Sequence, residues 1–176
     1  MNIEKLAKAV RNVPDFPIPG IQFKDVTTLF KDSSILQEIV EGLYEIYKNK
    51  GITKVVGIES RGFILGPLLA FRLNAGFIPI RKPGKLPAAI FEESYQKEYG
   101  TDTIQIHRDA LDSGDTVLLH DDLLATGGTM YAAVRLIKKF NPRKIYVNFL
   151  IELTDLNGRV GFDSDIQVDS IIKYDI

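Results

Sequence analysis

One segment of the sequence, residues 118–130, combines carboxylates with a glycine-rich turn. It reads Leu-Leu-His-Asp-Asp-Leu-Leu-Ala-Thr-Gly-Gly-Thr-Met. Glycines allow successive backbone N–H groups to converge on one point, and a helix that begins there adds positive potential. The pattern therefore predicts an anion cradle, suited to a phosphate, that is formed by Ala125, Thr126, Gly127, Gly128 and Thr129.

Two carboxylates precede this cradle and must serve a different group, because they would repel the same phosphate. We expect Asp121 and Asp122 to hold hydroxyl groups or a metal ion. The segment is neither a Walker A loop nor a Gly-x-Gly-x-x-Gly dinucleotide fingerprint. A plain glycine-rich turn at a helix start is the alternative, and the aspartates in front of it weaken that alternative.

Two further loops carry cations that suit phosphate oxygens. Ser60 and Arg61 follow one apolar run, and a guanidinium can contact phosphate with two parallel hydrogen bonds. Lys82 and Lys85 follow the next apolar run. Each loop alone is also typical of a solvated surface, but together with the cradle they predict a site for a polyphosphate.

Alternating strands and helices must position these loops. The apolar patterns predict strands at 54–58, 77–80, 116–119 and 144–151, and helices at 3–12, from Ser34 onward, at 63–73 and through 130–137. Ser34 and Gln37 have the spacing of a capping box. Strands and helices that alternate over short connections predict an α/β fold with a parallel sheet, which binds ligands beyond the carboxyl ends of its strands.

Three regions depart from that alternation. The prolines of residues 14–20 exclude a regular helix, and the apolar residues beside them predict a segment that packs over something. Residues 81–109 contain two alternating runs that could form an antiparallel flap outside the main sheet. The residues after Thr154 give only weak strand signals.

Composition excludes several classes of protein. The 176 residues include 22 Lys or Arg and 23 Asp or Glu, a near-neutral balance that argues against a protein that coats nucleic acid. There is no cysteine and there are two histidines, which excludes disulfides, thiolate sites and a multi-histidine metal centre. No apolar run is long enough to span a membrane, and the charged N-terminus lacks the pattern of a signal peptide. We expect a single cytoplasmic domain with no nucleic-acid or membrane partner.

Four strings in these loops resemble the adenine branch of the type I phosphoribosyltransferase family. They are Asp-Asp-Leu-Leu-Ala-Thr-Gly-Gly-Thr at 121–129, Glu-Ser-Arg-Gly at 59–62, Arg-Lys-Pro-Gly-Lys-Leu-Pro at 81–87 and Phe-Pro-Ile-Pro-Gly-Ile-Gln-Phe-Lys-Asp at 16–25. The resemblance covers roughly residues 3–155. It implies that the chain forms AMP and pyrophosphate from adenine and 5-phosphoribosyl 1-diphosphate (PRPP), as an enzyme of purine salvage.

The resemblance also implies roles for residues. The cradle would hold the ribose 5-phosphate, and Asp121 and Asp122 would hold the ribose. Residues expected to bind pyrophosphate are Ser60, Arg61, Lys82 and Lys85; those expected to bind the base are Phe23 by stacking and Gln22 and Lys24 through their main chains. The catalytic group would comprise Glu98, Tyr99 and Arg61.

The same resemblance implies a type I phosphoribosyltransferase fold over residues 1–176, with a hood at about 12–30 and a flexible flap at about 83–109. It implies Mg²⁺ that is bound mainly through PRPP or pyrophosphate, with no metal ion held by the protein alone, and a homodimer. His120 stands where the family usually has an aliphatic residue, and we expect a carboxylate or a backbone group to satisfy it. Three alternatives remain open: a sensor of PRPP or purines without catalysis, a transferase for a 6-oxopurine, and an unrelated nucleotide-binding module.

Overall fold

The computed structural model describes residues 1–96 and 100–175. In chain order the strands are β1 (Arg11–Pro14), β2 (Gln22–Asp25), β3 (Lys54–Ile58), β4 (Gly76–Ile80), β5 (Ile90–Gln96), β6 (Thr101–His107), β7 (Thr116–Leu124), β8 (Lys144–Leu153) and β9 (Gln167–Tyr174). The helices are α1 (Ile3–Ala9), α2 (Thr27–Phe30), α3 (Ser33–Tyr47), α4 (Gly62–Arg72) and α5 (Gly128–Lys138), with a short 3-10 turn at Thr154–Leu156.

Five strands form the central sheet, in the order β4-β3-β7-β8-β9, and every neighbouring pair is parallel. The α/β fold with a parallel sheet is thereby confirmed. From β3 the chain first adds β4 on one side, and later adds β7 on the other. The strand order therefore reverses between β3 and β7, and such a switch point is where open parallel sheets bind ligands.

Each face of the sheet packs against its own hydrophobic core, because side chains alternate along a strand. Val56 and Leu119 belong to the core that includes α5 and the β5–β6 pair. Val55 and Leu118 belong to the core that includes α1 to α4. A sheet covered on both faces leaves its carboxyl edge as the place for polar chemistry.

Two antiparallel hairpins lie outside the main sheet. The N-terminal hairpin, β1 with β2, is called the hood below, and β5 with β6 is called the flap. An isolated antiparallel bridge between Arg81 and Gln105 attaches the flap to the loop after β4. Among the described residues, no helix is both long and apolar enough to cross a membrane.

Several boundaries differ from the sequence-based expectations. Asp32, and not Ser34, caps α3, since its carboxylate accepts from the backbone N–H groups of Ser34 and Ile35. The first helix ends at Ala9, and a strand begins at Arg11. The residues after Thr154, which gave only weak strand signals, include an eight-residue strand, β9, which pairs in parallel with β8.

The proline-rich segment is less covered than its apolar residues suggested. Phe16, Ile18 and Ile21 are each about half exposed, at 51%, 50% and 44%. The ring of Phe16 meets that of Phe23 edge to face, with centroids 5.1 Å apart. The segment thus packs on the hood itself and leaves an apolar outer surface.

Candidate active site

A cleft of about 520 Å³ opens at the carboxyl end of β7. The loop from β7 into α5 forms one wall, and the end of the flap strand β5 contributes to the lining. All five residues of the predicted cradle line this cleft: Ala125, Thr126, Gly127, Gly128 and Thr129. The first N–H groups of a helix have no partner within the helix, so α5 presents donors to the cleft.

Gly127 shows why the cradle needs glycine. It has a φ of +86°, in the left-handed region that disfavours residues with a Cβ. A Cβ at this position would also lie 2.6 Å from Cζ of Tyr131 and 2.8 Å from the carbonyl oxygen of Gly158. Backbone conformation and close packing therefore both require the absence of a side chain.

The two adjacent aspartates have different surroundings. Asp121 lines the cleft, and its carboxylate accepts from the backbone N–H of Asp122 at 2.9 Å. Asp122 is buried and forms an ion pair with Arg61, with Oδ2 and Nε 2.9 Å apart. Loss of hydration and the neighbouring Asp122 charge raise the pKa of Asp121 well above its usual value. Burial raises the pKa of Asp122 as well, although Arg61 opposes that shift.

Arg61 also connects the sheet to the hood. Its guanidinium carbon lies 5.5 Å from the centroid of the Phe23 ring. Phe23 of the hood, Arg61 before α4 and Asp122 at the end of β7 thus form a continuous series of contacts. Ser60, the neighbour of Arg61, is exposed at the same sheet edge.

Glu59 links the ends of β3 and β4. Its Oε2 accepts from Nε of Arg81 and from the backbone N–H of Lys82, both at 2.9 Å. The hydrogen bond from Arg81 lowers the pKa of Glu59 the most, and the hydrogen bond from Lys82 lowers it further. The sequence shows Glu59 directly after an apolar run, but it does not identify the partners, which lie 22 and 23 residues further along the chain.

The two predicted lysines differ in their contacts. The ammonium of Lys82 pairs with the carboxylate of Asp102 on the flap, to which Tyr95 also donates its hydroxyl at 3.2 Å. Lys85 is exposed. Asp102 went unnoticed in the sequence, because nothing in its neighbourhood distinguishes it from a solvated flap residue.

The hood brings its three predicted residues to one hairpin strand. Phe23 is half-buried, and the side chain of Gln22 accepts from Nδ2 of Asn12 at 2.7 Å. Lys24 donates to Oδ1 of Asn12 at 3.1 Å, and its ammonium lies 4.5 Å from the ring centroid of Tyr174. The predicted catalytic residues Glu98 and Tyr99 lie outside the described residues.

His120 is fully buried beside the acidic pair. Its Nδ1 lies 2.9 Å from Oδ1 of Asn148, so an amide, and not the expected carboxylate or backbone group, is its partner. Burial lowers the pKa of His120 to about 4, although the contact with Asn148 opposes this. The imidazole is therefore neutral under ordinary conditions.

The Asp121 carboxylate of the cleft suits Mg²⁺ only as a partner to a substrate. Within residues 1–96 and 100–175, no three carboxylate or histidine side chains gather into a metal-binding group. Mg²⁺ usually keeps several waters and is held by one or two carboxylates together with substrate phosphates. Asp121 fits such a role, because a cation beside it would offset the burial and the Asp122 charge that together raise its pKa.

Comparison with known proteins identifies relatives of this site and fold. A sequence model of the phosphoribosyl transferase domain matches residues 25–172. The chain is 69% identical over 172 residues to an adenine phosphoribosyltransferase of Bacteroides thetaiotaomicron, which covers 98% of each chain. It is 55% identical over 159 residues to an adenine phosphoribosyltransferase of Chloroflexus aurantiacus, covering 90% of this chain and 92% of the relative.

Solved structures agree with these relatives. The crystal structure of adenine phosphoribosyltransferase from Rhodothermus marinus superimposes with a TM-score of 0.92 at 51% identity, over 98% of both chains. The Saccharomyces cerevisiae enzyme, complexed with an imino-altritol bisphosphate and adenine, superimposes with a TM-score of 0.90 at 36% identity, over 97% of this chain and 98% of that one.

Proposed function

The chain belongs to the phosphoribosyl transferase family, and we propose that it transfers the phosphoribosyl group of PRPP to adenine, forming AMP and pyrophosphate. The reaction is a pentosyl transfer of purine salvage. The observation that carries the proposal is the cleft at the carboxyl end of β7, in which the glycine-rich start of α5 and the Asp121 carboxylate lie together. A ligand that contains both a phosphate and a ribose needs N–H donors for the phosphate and a carboxylate acceptor for the ribose hydroxyls, side by side.

PRPP binding divides between the end of β7 and the start of α5. The backbone N–H groups of residues 125–129 hold the 5-phosphate, where the dipole of α5 adds favourable potential. Asp121 accepts hydrogen bonds from the ribose hydroxyls. Asp122 contributes to the same ribose site, and its contact with Arg61 keeps the two loops in register.

Pyrophosphate is the group on which negative charge grows as the C1–oxygen bond breaks. Ser60, Arg61, Lys82 and Lys85 bind it, and they bind it more tightly in the transition state than in the ground state. In the structure Lys82 is paired with Asp102, and this pair is the contact that the incoming diphosphate exchanges, whereas Arg61 keeps its contact with Asp122. Mg²⁺, when bound, neutralises charge on the diphosphate, and Asp121 is the residue that best fits beside it.

Adenine lies against the hood. The ring of Phe23 stacks on the base, and the main chains of Gln22 and Lys24 recognise its edge. Glu98 assists the base nitrogen, and Tyr99 lies beside the ribose diphosphate. These roles come from the resemblance to the family, and the half-buried ring of Phe23 beside Arg61 supports the stacking role. A homodimer and a cytoplasmic location complete the proposal.

A panel of bases tests the proposed function. The purified chain is mixed with PRPP, Mg²⁺ and adenine, hypoxanthine, guanine or xanthine, and pyrophosphate release is measured. A matched Asp121→Asn preparation controls for a contaminating enzyme, because this change removes the carboxylate from the cleft. We expect pyrophosphate with adenine alone, and a much lower rate in the variant.

The other outcomes separate the alternatives. Pyrophosphate with a 6-oxopurine would retain the PRPP site and contradict the adenine assignment. Tight PRPP binding without turnover of any base would favour a sensor. If PRPP does not bind at all, the proposed function is wrong.

A further inference from the structure

Tyr131 lies one helical turn after Gly127, and its ring packs against that cradle residue. Its hydroxyl donates to the carbonyl oxygen of Gly158 at 2.8 Å and accepts from the backbone N–H of Gly161 at 3.0 Å. Its ring packs edge to face against Phe162, with centroids 4.8 Å apart. One side chain of α5 is therefore bonded at both sides to the segment of residues 157–162.

The contact between Tyr131 and segment 157–162 leaves no room for a side chain at three glycines. At Gly161 a Cβ would lie 2.5 Å from Cζ of Tyr131, and at Gly127 it would lie 2.6 Å from the same atom. At Gly158 a Cβ would lie 2.1 Å from the carbonyl oxygen of Ala125, a cradle residue. The Tyr131 ring is thus enclosed between two glycines, and a third glycine lets segment 157–162 touch the cradle backbone directly.

Segment 157–162 is itself fixed to the sheet. The guanidinium of Arg159 donates to both carboxylate oxygens of Glu152, at 2.6 and 2.7 Å, and to the carbonyl oxygen of Val168 at 2.6 Å. Glu152 is only 5% exposed. Burial would raise the pKa of Glu152, but hydrogen bonds from Arg159 and Ser170 outweigh it and lower that pKa. A two-point ion pair of this kind fixes the position of Arg159, and so of segment 157–162, relative to the sheet.

We propose that Tyr131 is a positioning residue for the phosphate cradle. Through its hydroxyl it joins the start of α5 to segment 157–162, and this connection sets the direction of the cradle N–H groups. The inference rests on the proposed function in one respect, that the cradle holds the 5-phosphate. Since Phe23 and the hood make no part of this connection, adenine binding is independent of it.

Tyr131→Phe is the variant that tests this role, because it removes only the hydroxyl and keeps the ring. A net hydrogen bond contributes a factor of about 2 to 10 to an equilibrium constant, so the KM for PRPP should rise by that factor. The KM for adenine and kcat should stay within about twofold, below the effect of one such bond. Calorimetry with ribose 5-phosphate should show the same loss of affinity, without any turnover.

Tyr174→Phe is the matched control. The hydroxyl of Tyr174 donates to the carbonyl oxygen of Ala7, also at 2.8 Å, and so joins β9 to α1. Both variants lose one hydroxyl-to-carbonyl bond, and Tyr131→Phe also loses the bond from the N–H of Gly161. Thermal unfolding measures what each variant loses in stability. We expect Tyr174→Phe to leave the KM for PRPP and the Kd for ribose 5-phosphate unchanged.

Three results would overturn the inference: an unchanged KM for PRPP in Tyr131→Phe, an equal change in the KM values for PRPP and adenine, or the same PRPP effect in Tyr174→Phe. If the wild-type chain turns over no base, the proposed function fails by itself. In that case the Kd for ribose 5-phosphate alone decides whether Tyr131 positions the cradle.

Discussion

At the scale of single residues, Asp121 and Asp122 are neighbours of the same type on one strand, yet their surroundings differ. Asp121 faces the cleft, and the next residue, Asp122, is buried against Arg61. Alternation of side chains along a strand is the physical reason. Arg61 opposes the rise that burial causes in the pKa of Asp122, whereas burial and the charge of Asp122 raise the pKa of Asp121 well above its usual value. The Asp121 carboxylate is therefore left to be stabilised by a hydroxyl or a cation.

His120 provides a prediction about pH. Its pKa is lowered to about 4 in the folded chain, whereas an unfolded histidine titrates near 6.5. Below pH 6.5 the unfolded state therefore binds a proton at His120 that the folded state does not bind. The free energy of unfolding consequently decreases as the pH falls toward 4. Between pH 7.5 and 5.5, this one group should lower the free energy of unfolding by about 1 kcal/mol.

A His120→Gln variant isolates this contribution. Glutamine can still bond to Asn148 but does not titrate, and every other ionisable group is unchanged. Urea unfolding of both proteins at the two pH values should show the smaller loss of stability in the variant. Equal losses, or a His120 resonance that titrates near 6.5 by NMR, would show that burial does not keep the imidazole neutral.

Residue types at the strand ends could be predicted from the sequence, but their partners could not. Carboxylates and cations that follow apolar runs are visible in a local pattern. The partner of His120 is 28 residues away, and that of Lys82 is 20 residues away. Which side chains meet across such distances depends on strand register and on how the flap docks, and no local pattern records either.

At the scale of secondary structure, the start of α5 is the element on which the proposed phosphate binding depends. A Gly127→Ala variant places a Cβ where φ is +86° and where a backbone carbonyl lies 2.8 Å away. Left-handed backbone costs a residue with a Cβ about 1 to 2 kcal/mol, and the clash adds to this. We expect the Kd for PRPP, measured by calorimetry, to rise at least about tenfold, since 1.4 kcal/mol corresponds to that factor.

Gly114→Ala is the control for that experiment. A Cβ at Gly114 would meet no atom within 4 Å, and its φ is not in the positive range. This substitution should leave PRPP affinity unchanged. If Gly127→Ala binds PRPP as tightly as Gly114→Ala does, the phosphate is held elsewhere.

The lengths of the strands were harder to predict than their existence. The apolar run 116–119 predicted β7, yet the strand continues through His120 and the aspartates to Leu124. Polar residues look like a loop in a sequence, but here they pair with β8 from Asn148 to Glu152. Strand β9 gave only weak signals in the sequence because an edge strand buries fewer residues, and only two of its eight are buried.

At the scale of the whole molecule, the site is assembled from parts that are distant in the sequence. The hood supplies Phe23, the loop after β3 supplies Arg61, and β7 supplies Asp122. The contacts between these three residues connect the proposed base site to the proposed ribose and pyrophosphate sites. The resemblance to a known family predicted which parts take part, whereas the contacts between them required the fold.

This assembly predicts that the hood acts on one substrate more than on the other. Stacking of a base on an aromatic ring contributes about 1 to 3 kcal/mol, so Phe23→Ala should raise the KM for adenine by about fivefold or more. The KM for PRPP should change less, because Asp122 still pairs with Arg61 when the ring is gone. Phe71→Ala removes a ring that is 87% exposed on α4 and serves as the control. Steady-state kinetics with each substrate varied in turn distinguishes the outcomes. If the KM for PRPP rises as much as the KM for adenine, the hood supports the whole cleft and not the base site alone.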